Sequence, residues 1–159
     1  MTRAARPKPM TPTYRKLEPE EMDAAAAVHR ASFDERLPWL AGRHSAEEDR
    51  GHFRDGVSRA CDVWGAFDGG SLLGIIAFRE GWIDQLYVLP RSQRLGIGRA
   101  LVRIAKSRFP SLSLWTFQRN ERARRFHEAC GFVLVAETNG DGNEEREPDA
   151  LYRWVRAGS

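Results

Sequence analysis

Asp84-Gln-Leu-Tyr-Val-Leu-Pro-Arg-Ser-Gln-Arg-Leu-Gly-Ile-Gly-Arg-Ala-Leu101 is the stretch on which the reading of this chain turns. An apolar strand runs into a Pro-containing turn, then a loop with two glycines, then an amphipathic helix. That order presents free backbone N–H groups at a helix N-terminus, where the helix dipole favours negative charge. Gly96 and Gly98 carry no Cβ, so a ligand can approach the main chain closely. Arg91, Arg94 and Arg99 add fixed positive charge around the loop. These features predict a phosphate-binding loop. It is not a Walker loop, which needs a lysine and a hydroxyl residue after its second glycine. It is not a dinucleotide loop either, because Leu101 stands where a third small residue belongs.

A second segment follows one strand later. Asn120-Glu-Arg-Ala-Arg-Arg-Phe-His-Glu-Ala-Cys-Gly-Phe132 reads as a helix capped by Asn120, with Ala123, Phe126 and Cys130 on one face. Gly131 is a suitable stop, and Phe132-Val-Leu-Val135 then predicts a buried strand. The order and spacing of the two segments carry a family resemblance. Gln93-Arg-Leu-Gly-Ile-Gly98 resembles the Q/R-x-x-G-x-G/A pyrophosphate loop of the GNAT superfamily of N-acetyltransferases. Asn120 to Phe132 resembles the family's N-x-x-A-x-x-F-Y-x-x-x-G-F segment, and the resemblance covers Tyr14 to Val155.

The resemblance implies acetyl-CoA as co-substrate, with no metal. It places the pyrophosphate on Arg94, Leu95, Gly96, Ile97, Gly98 and Arg99. Backbone groups of Leu86, Tyr87 and Val88, on a bulged strand splayed from its neighbour, would hold the pantetheine arm and the acetyl carbonyl. Asn120 and Phe126 would meet the arm further along. The chain departs from the pattern at His127, where the family usually carries the tyrosine that reprotonates the leaving sulfur. Histidine can serve as that acid if its pKa lies near the working pH. If His127 is inert, Tyr87 or water must take its place.

Composition bounds the rest. The chain has 159 residues, enough for one self-sufficient domain, expected over residues 13–156. Met1 to Pro12 is Pro-rich and aperiodic, and reads as a flexible tail. Nothing resembles a signal peptide or a membrane-crossing run, so the expected location is cytoplasmic. Two cysteines, Cys61 and Cys130, are too few for a disulfide framework or a zinc site. The net charge of +3 owes everything to the tail. Without Arg3, Arg6 and Lys8, the 25 basic residues fall to 22, equal to the 22 acids. Within the domain, charge is segregated. Arg91 to Arg125 is strongly basic with Glu121 as its one acid, whereas Glu137 to Asp149 is acidic with Arg146 as its one base. This suits a polyanionic cofactor beside a cationic amine, although solvated helix faces and a plain acidic loop would read the same way. No aromatic-interleaved basic stripe calls for a nucleic acid.

The periodicities predict strands at Thr13–Leu17, Asp62–Phe67, Leu72–Arg79, Trp82–Val88, Leu112–Thr116, Phe132–Glu137 and Ala150–Val155. Helices are expected from Pro19 to Phe33, Ser45 to Val57, Ile97 to Phe109 and Asn120 to Ala129. This β-α-α-β-β-β-α-β-α-β-β order gives an α/β (α+β) fold: a mixed, mostly antiparallel sheet with helices on both faces, which is the GNAT order. Strand alternation puts Asp84 on the same face as Leu86, making Asp84 a candidate general base; a carboxylate paired with an arginine is the equal alternative. Glu144 and Glu145 are candidates to bind the amine cation. Trp39 and His44 lie where the family commonly builds its acceptor wall.

The sequence therefore predicts an acetyl-CoA-dependent N-acetyltransferase working by direct attack of a primary amine in a ternary complex. A non-catalytic acyl-CoA sensor is the alternative, kept open by His127. A homodimer is possible, and no membrane partner is expected.

Overall fold

Asp68-Gly-Gly-Ser71 is a two-residue turn that joins the first hairpin of the sheet, and the sheet grows outward from it. The computed structural model describes residues 11–158, so the expected tail lies outside the described residues for its first ten positions. Seven strands form one sheet: β1 (Thr13–Lys16), β2 (Asp62–Asp68), β3 (Ser71–Arg79), β4 (Trp82–Val88), β5 (Ser111–Phe117), β6 (Val133–Thr138) and β7 (Asp149–Val155). Their order is β1-β2-β3-β4-β5-β7-β6. All neighbours are antiparallel except β4 and β5, which run parallel and pair only at Trp82 and Ser113. Beyond that point the two strands part, as the sequence resemblance implied.

Helices cover both faces. On one face lies α1 (Met22–Arg36), entered through a 3-10 turn at Pro19–Glu21. Beside it α2 (Ala46–Gly51) runs on through a π-helical segment (His52–Val57) into α3 (Ser58–Ala60). Ser45 and Glu48 form the capping box that starts α2, with bonds of 3.1 and 3.0 Å. Phe53, Val57, Val63, Ile75 and Ala77 fill this side. On the opposite face lie α4 (Ile97–Arg108) and α5 (Glu121–Ala129), and there Leu101 of α4 joins Ile76, Phe78, Leu112 and Tyr152 of the sheet in one core. Each fully buried aliphatic or aromatic side chain here stabilises the fold by ~1.5–3 kcal/mol.

Two expectations are corrected. The Phe132–Val135 stretch is not a buried strand. Phe132 is buried, but all of β6 is exposed, with Val133 at 67%. The reason is topological: β7 inserts between β5 and β6, leaving β6 at the sheet edge. The second correction concerns β4. Ala77 pairs with Gln85 while Phe78 pairs with Ile83, so Asp84 is the extra residue of a β-bulge. The bulge breaks alternation, and Asp84 does not share the face of Leu86.

Candidate functional site

Where β4 and β5 separate, a cleft of about 1550 Å³ opens across the sheet. Leu89 N–H donates to Leu73 O (2.8 Å), so by antiparallel alternation Tyr87 also bonds toward β3. The backbone of Leu86 and the Val88 N–H therefore point into the gap. The expectation that Tyr87 offers its backbone to a bound arm is corrected on the same ground: its carbonyl lies against Gly74 of β3. The Val88 carbonyl is already held, accepting from Ser32 Oγ (2.8 Å) and Gln93 Nε2 (2.9 Å). These bonds pin the end of β4 to α1 and to the glycine loop.

The loop itself is shaped for an anion. Arg94 (φ 66°) and Gly96 (φ 83°) are left-handed, and Gly96 caps α4 with no side-chain hydrogen bond to the first-turn amides. A Cβ on Gly98 would stand 3.1 Å from Phe126 Cζ and narrow the cradle. Arg36, Arg94, Arg99, Arg122 and Arg125 line this end. Burial lowers the Arg36 pKa, with a smaller push in the same direction from Arg122 and an opposing one from Glu35. The side chain of Ile97 is in the core and that of Leu95 faces solvent, so both offer the loop only their backbone. Asn120 caps α5, its Oδ1 accepting from Ala123 N at 3.2 Å, and both it and Phe126 line the cleft.

The other end is acidic. His44, Glu48, Asp49, Glu144 and Glu145 line it. His44 Nε2 meets Glu144 at 2.9 Å, and Arg43 donates to the Glu144 carbonyl at 3.2 Å. Trp39 does not line the cleft among the described residues. Its indole N–H donates to Glu147 (2.8 Å), and Arg119 stacks over its ring at 3.9 Å. It thus fastens the loop after α1 to the loop before β7 from outside, a correction to its expected place in the wall.

The expected acid–base groups fall in distinct settings. Asp84 accepts from Arg79 at 2.7 and 3.2 Å and from the Cys61 thiol at 3.3 Å, so its carboxylate is committed on the α1 side. Tyr87 lines the cleft, and burial, with smaller help from Glu145, pushes its hydroxyl pKa up. His127 is 7% exposed among the rings of Phe126, Phe132 and Tyr152, with Nδ1 buried and unpartnered. Burial pushes its pKa down to about 4. The ring is neutral at neutral pH, so it holds no imidazolium proton to give; an N–H donor role is what remains to it.

Sequence reasoning passed over His29, which sits on α1 with its ring 4.6 Å from that of Tyr87 and lines the same cleft. It also missed Arg36, Glu48 and Asp49. The helical spacing of His29 and Ser32 was the available signal, since both face β4.

A family model described as the acetyltransferase (GNAT) family matches residues 22–132. The peptidyl-lysine N-acetyltransferase YiaC of Escherichia coli strain K12 is 35% identical over 83 residues, which cover 52% of this chain and 57% of that protein. The chain spans about half the length of the curated relatives it matches. Among solved structures, apo-form YjaB of Escherichia coli superposes with a TM-score of 0.77 at 24% identity, covering 93% of this chain and 100% of that one. The PaiA N-acetyltransferase of Thermoplasma acidophilum, in complex with coenzyme A, gives 0.67 at 20% identity over 92% and 99%. Both likenesses concern the fold.

Proposed function

Because the chain belongs to the acetyltransferase (GNAT) family, we propose that it transfers an acetyl group from acetyl-CoA to a cationic primary amine. The observation that carries this reading is a single cleft that is basic at the glycine loop, acidic at the far end, and floored by unpaired backbone between them. Relatives known with coenzyme A or acetyl-CoA bound share this fold. The loop fits the cofactor's pyrophosphate: uncapped first-turn amides, the left-handed Gly96 and a Gly98 position where a Cβ would press on the edge of the Phe126 ring. Arg94, Arg99 and Arg122 would neutralise it, and Leu86 and Val88 would bond the arm. When bound, the thioester supplies an activated acyl carbon.

The protein's own groups act on the amine. Glu48, Asp49, Glu144 and Glu145 line the acceptor end and attract the ammonium form. Attack is direct, because neither cysteine is suited to carry an acyl group. Burial, then Asp84, pushes the Cys61 thiol up to about 12, and burial raises Cys130; neither lines the cleft among the described residues. Positioning of two bound reactants can supply ~7–11 kcal/mol of barrier lowering without covalent catalysis.

The buried, neutral His127 favours one competing reading, a sensor that binds acyl-CoA and transfers nothing. Mass analysis of products from an amine panel separates the two. Diamines acetylated in preference to neutral amines support the transferase; cofactor binding with no product from any amine overturns it. No helix among the described residues is long and apolar enough to cross a membrane.

A further inference from the structure

Acetyl transfer to an amine needs a group to take the ammonium proton, and the candidates in the cleft differ in how free they are. Asp84 is held twice by Arg79, and Asp49 is paired with Arg30 at 3.1 Å. His44 lies between Glu144 and Glu48, at 2.9 and 3.5 Å. His127 is enclosed by aromatic rings on the α5 side. Glu145 and His52 also line the cleft, and what sets His29 apart is its place against Tyr87 at the end of β4. Its ring packs on Tyr87, Phe33 and Phe53, at centroid distances of 4.6, 5.5 and 5.6 Å. Nδ1 is sealed and unpartnered, which leaves Nε2 as the nitrogen open to the cleft. Three residues on, Ser32 bonds the Val88 carbonyl at 2.8 Å, so this face of α1 is docked against the end of β4 where its backbone enters the gap.

Building on the acetyl-transfer reading, we propose that His29 is the proton acceptor of the reaction, taking a proton on Nε2 from the acceptor's ammonium group beside Tyr87. The freed amine lone pair then forms the C–N bond while the C–S bond breaks, and that electron pair leaves on sulfur. The second proton lost from nitrogen ends on the sulfur, and His29 returns its own proton to water through the cleft. The sum is one amide, one free thiol and one released proton.

The surroundings agree with the role. Burial is the largest influence on the His29 pKa and lowers it; Asp49 and Asp34 act upward, His52 and Arg30 downward. The imidazole is therefore in its basic form at neutral pH, where it can accept. From β4 the facing titratable group is the Tyr87 hydroxyl, which stays protonated.

The test is the pH profile of kcat for wild type and His29→Gln with a diamine acceptor, alongside acetyl-CoA affinity by calorimetry. Loss of the proton acceptor is expected to cost ~10²- to 10⁴-fold in kcat near pH 7.5, with cofactor affinity unchanged. The acidic limb of the profile should give way to a rate that climbs steadily with pH. His29→Ala, which opens a space toward the cleft, should regain activity when free imidazole is added. A His29→Gln enzyme within threefold of wild type, or a His29→Ala enzyme that imidazole does not rescue, overturns the proposal while acetyl transfer stands. Wild-type protein that acetylates no amine overturns the transfer reading itself, and this proposal with it.

Discussion

At Gly98 the space for a side chain is already used: a Cβ would meet Phe126 at 3.1 and 3.3 Å on the floor of the anion loop. Gly98→Asp adds both bulk and a negative charge there. Its affinity for acetyl-CoA is expected to fall at least tenfold, ~1.4 kcal/mol, in calorimetric titration; unchanged affinity would remove the loop from the binding site. His127 makes a pH prediction. Its folded pKa of about 4 lies below the ordinary value of 6.5. Between these values the unfolded chain takes up a proton that the folded one refuses, so stability falls as pH drops through that window and levels off below it. At ~1.36 kcal/mol per unit, wild type should lose ~2 kcal/mol more than His127→Phe between pH 7.5 and 5. Urea midpoints at the two pH values measure this, and parallel losses would contradict it. Residues such as these were unevenly legible. Gly96 and Gly98 announce themselves because the loop's chemistry is local. His29 acquires meaning only when Tyr87 and the acidic wall are brought to it from other parts of the chain.

Elements show where local pattern runs out. The β4 bulge turns Asp84 toward Arg79 and Cys61, and a bulge is a property of two paired strands that neither strand's sequence displays alone. The edge position of β6 is likewise set by β7, which follows it in the chain yet pairs inside it. Val133→Lys tests that placement. On an exposed edge the change should cost less than ~0.5 kcal/mol, and thermal melting should hardly move; a large drop would restore the buried strand. The two loops that close the acceptor end are tied through Glu147, which accepts from Trp39 at 2.8 Å and pairs with Arg119 at 3.4 Å. Glu147→Ala should cost ~1–2 kcal/mol of stability and raise the amine KM more than it lowers kcat. Steady-state kinetics reads this directly, and an unchanged KM would detach the clasp from acceptor binding.

Over the whole molecule, the α/β layout was legible because helix caps, the Asp68–Ser71 turn and the strand periodicities agree with one another. The charge segregation was legible too, as a basic run followed by an acidic one. The sequence did not reveal how folding divides these runs: Arg119 meets Glu147 and Arg124 meets Glu137, while Arg94, Arg99 and Arg122 line the cleft with the glycine loop and Glu144 and Glu145 line its acidic part. That arrangement underlies the central claim of acetyl transfer between a polyanionic donor and a cationic amine. The most direct measurement is the release of free thiol from acetyl-CoA by purified protein, with and without a diamine. Thiol release that depends on the amine, matched by acetylated product, is the predicted result. Tight acetyl-CoA binding with no amine-dependent release would contradict it and leave a binding module in its place.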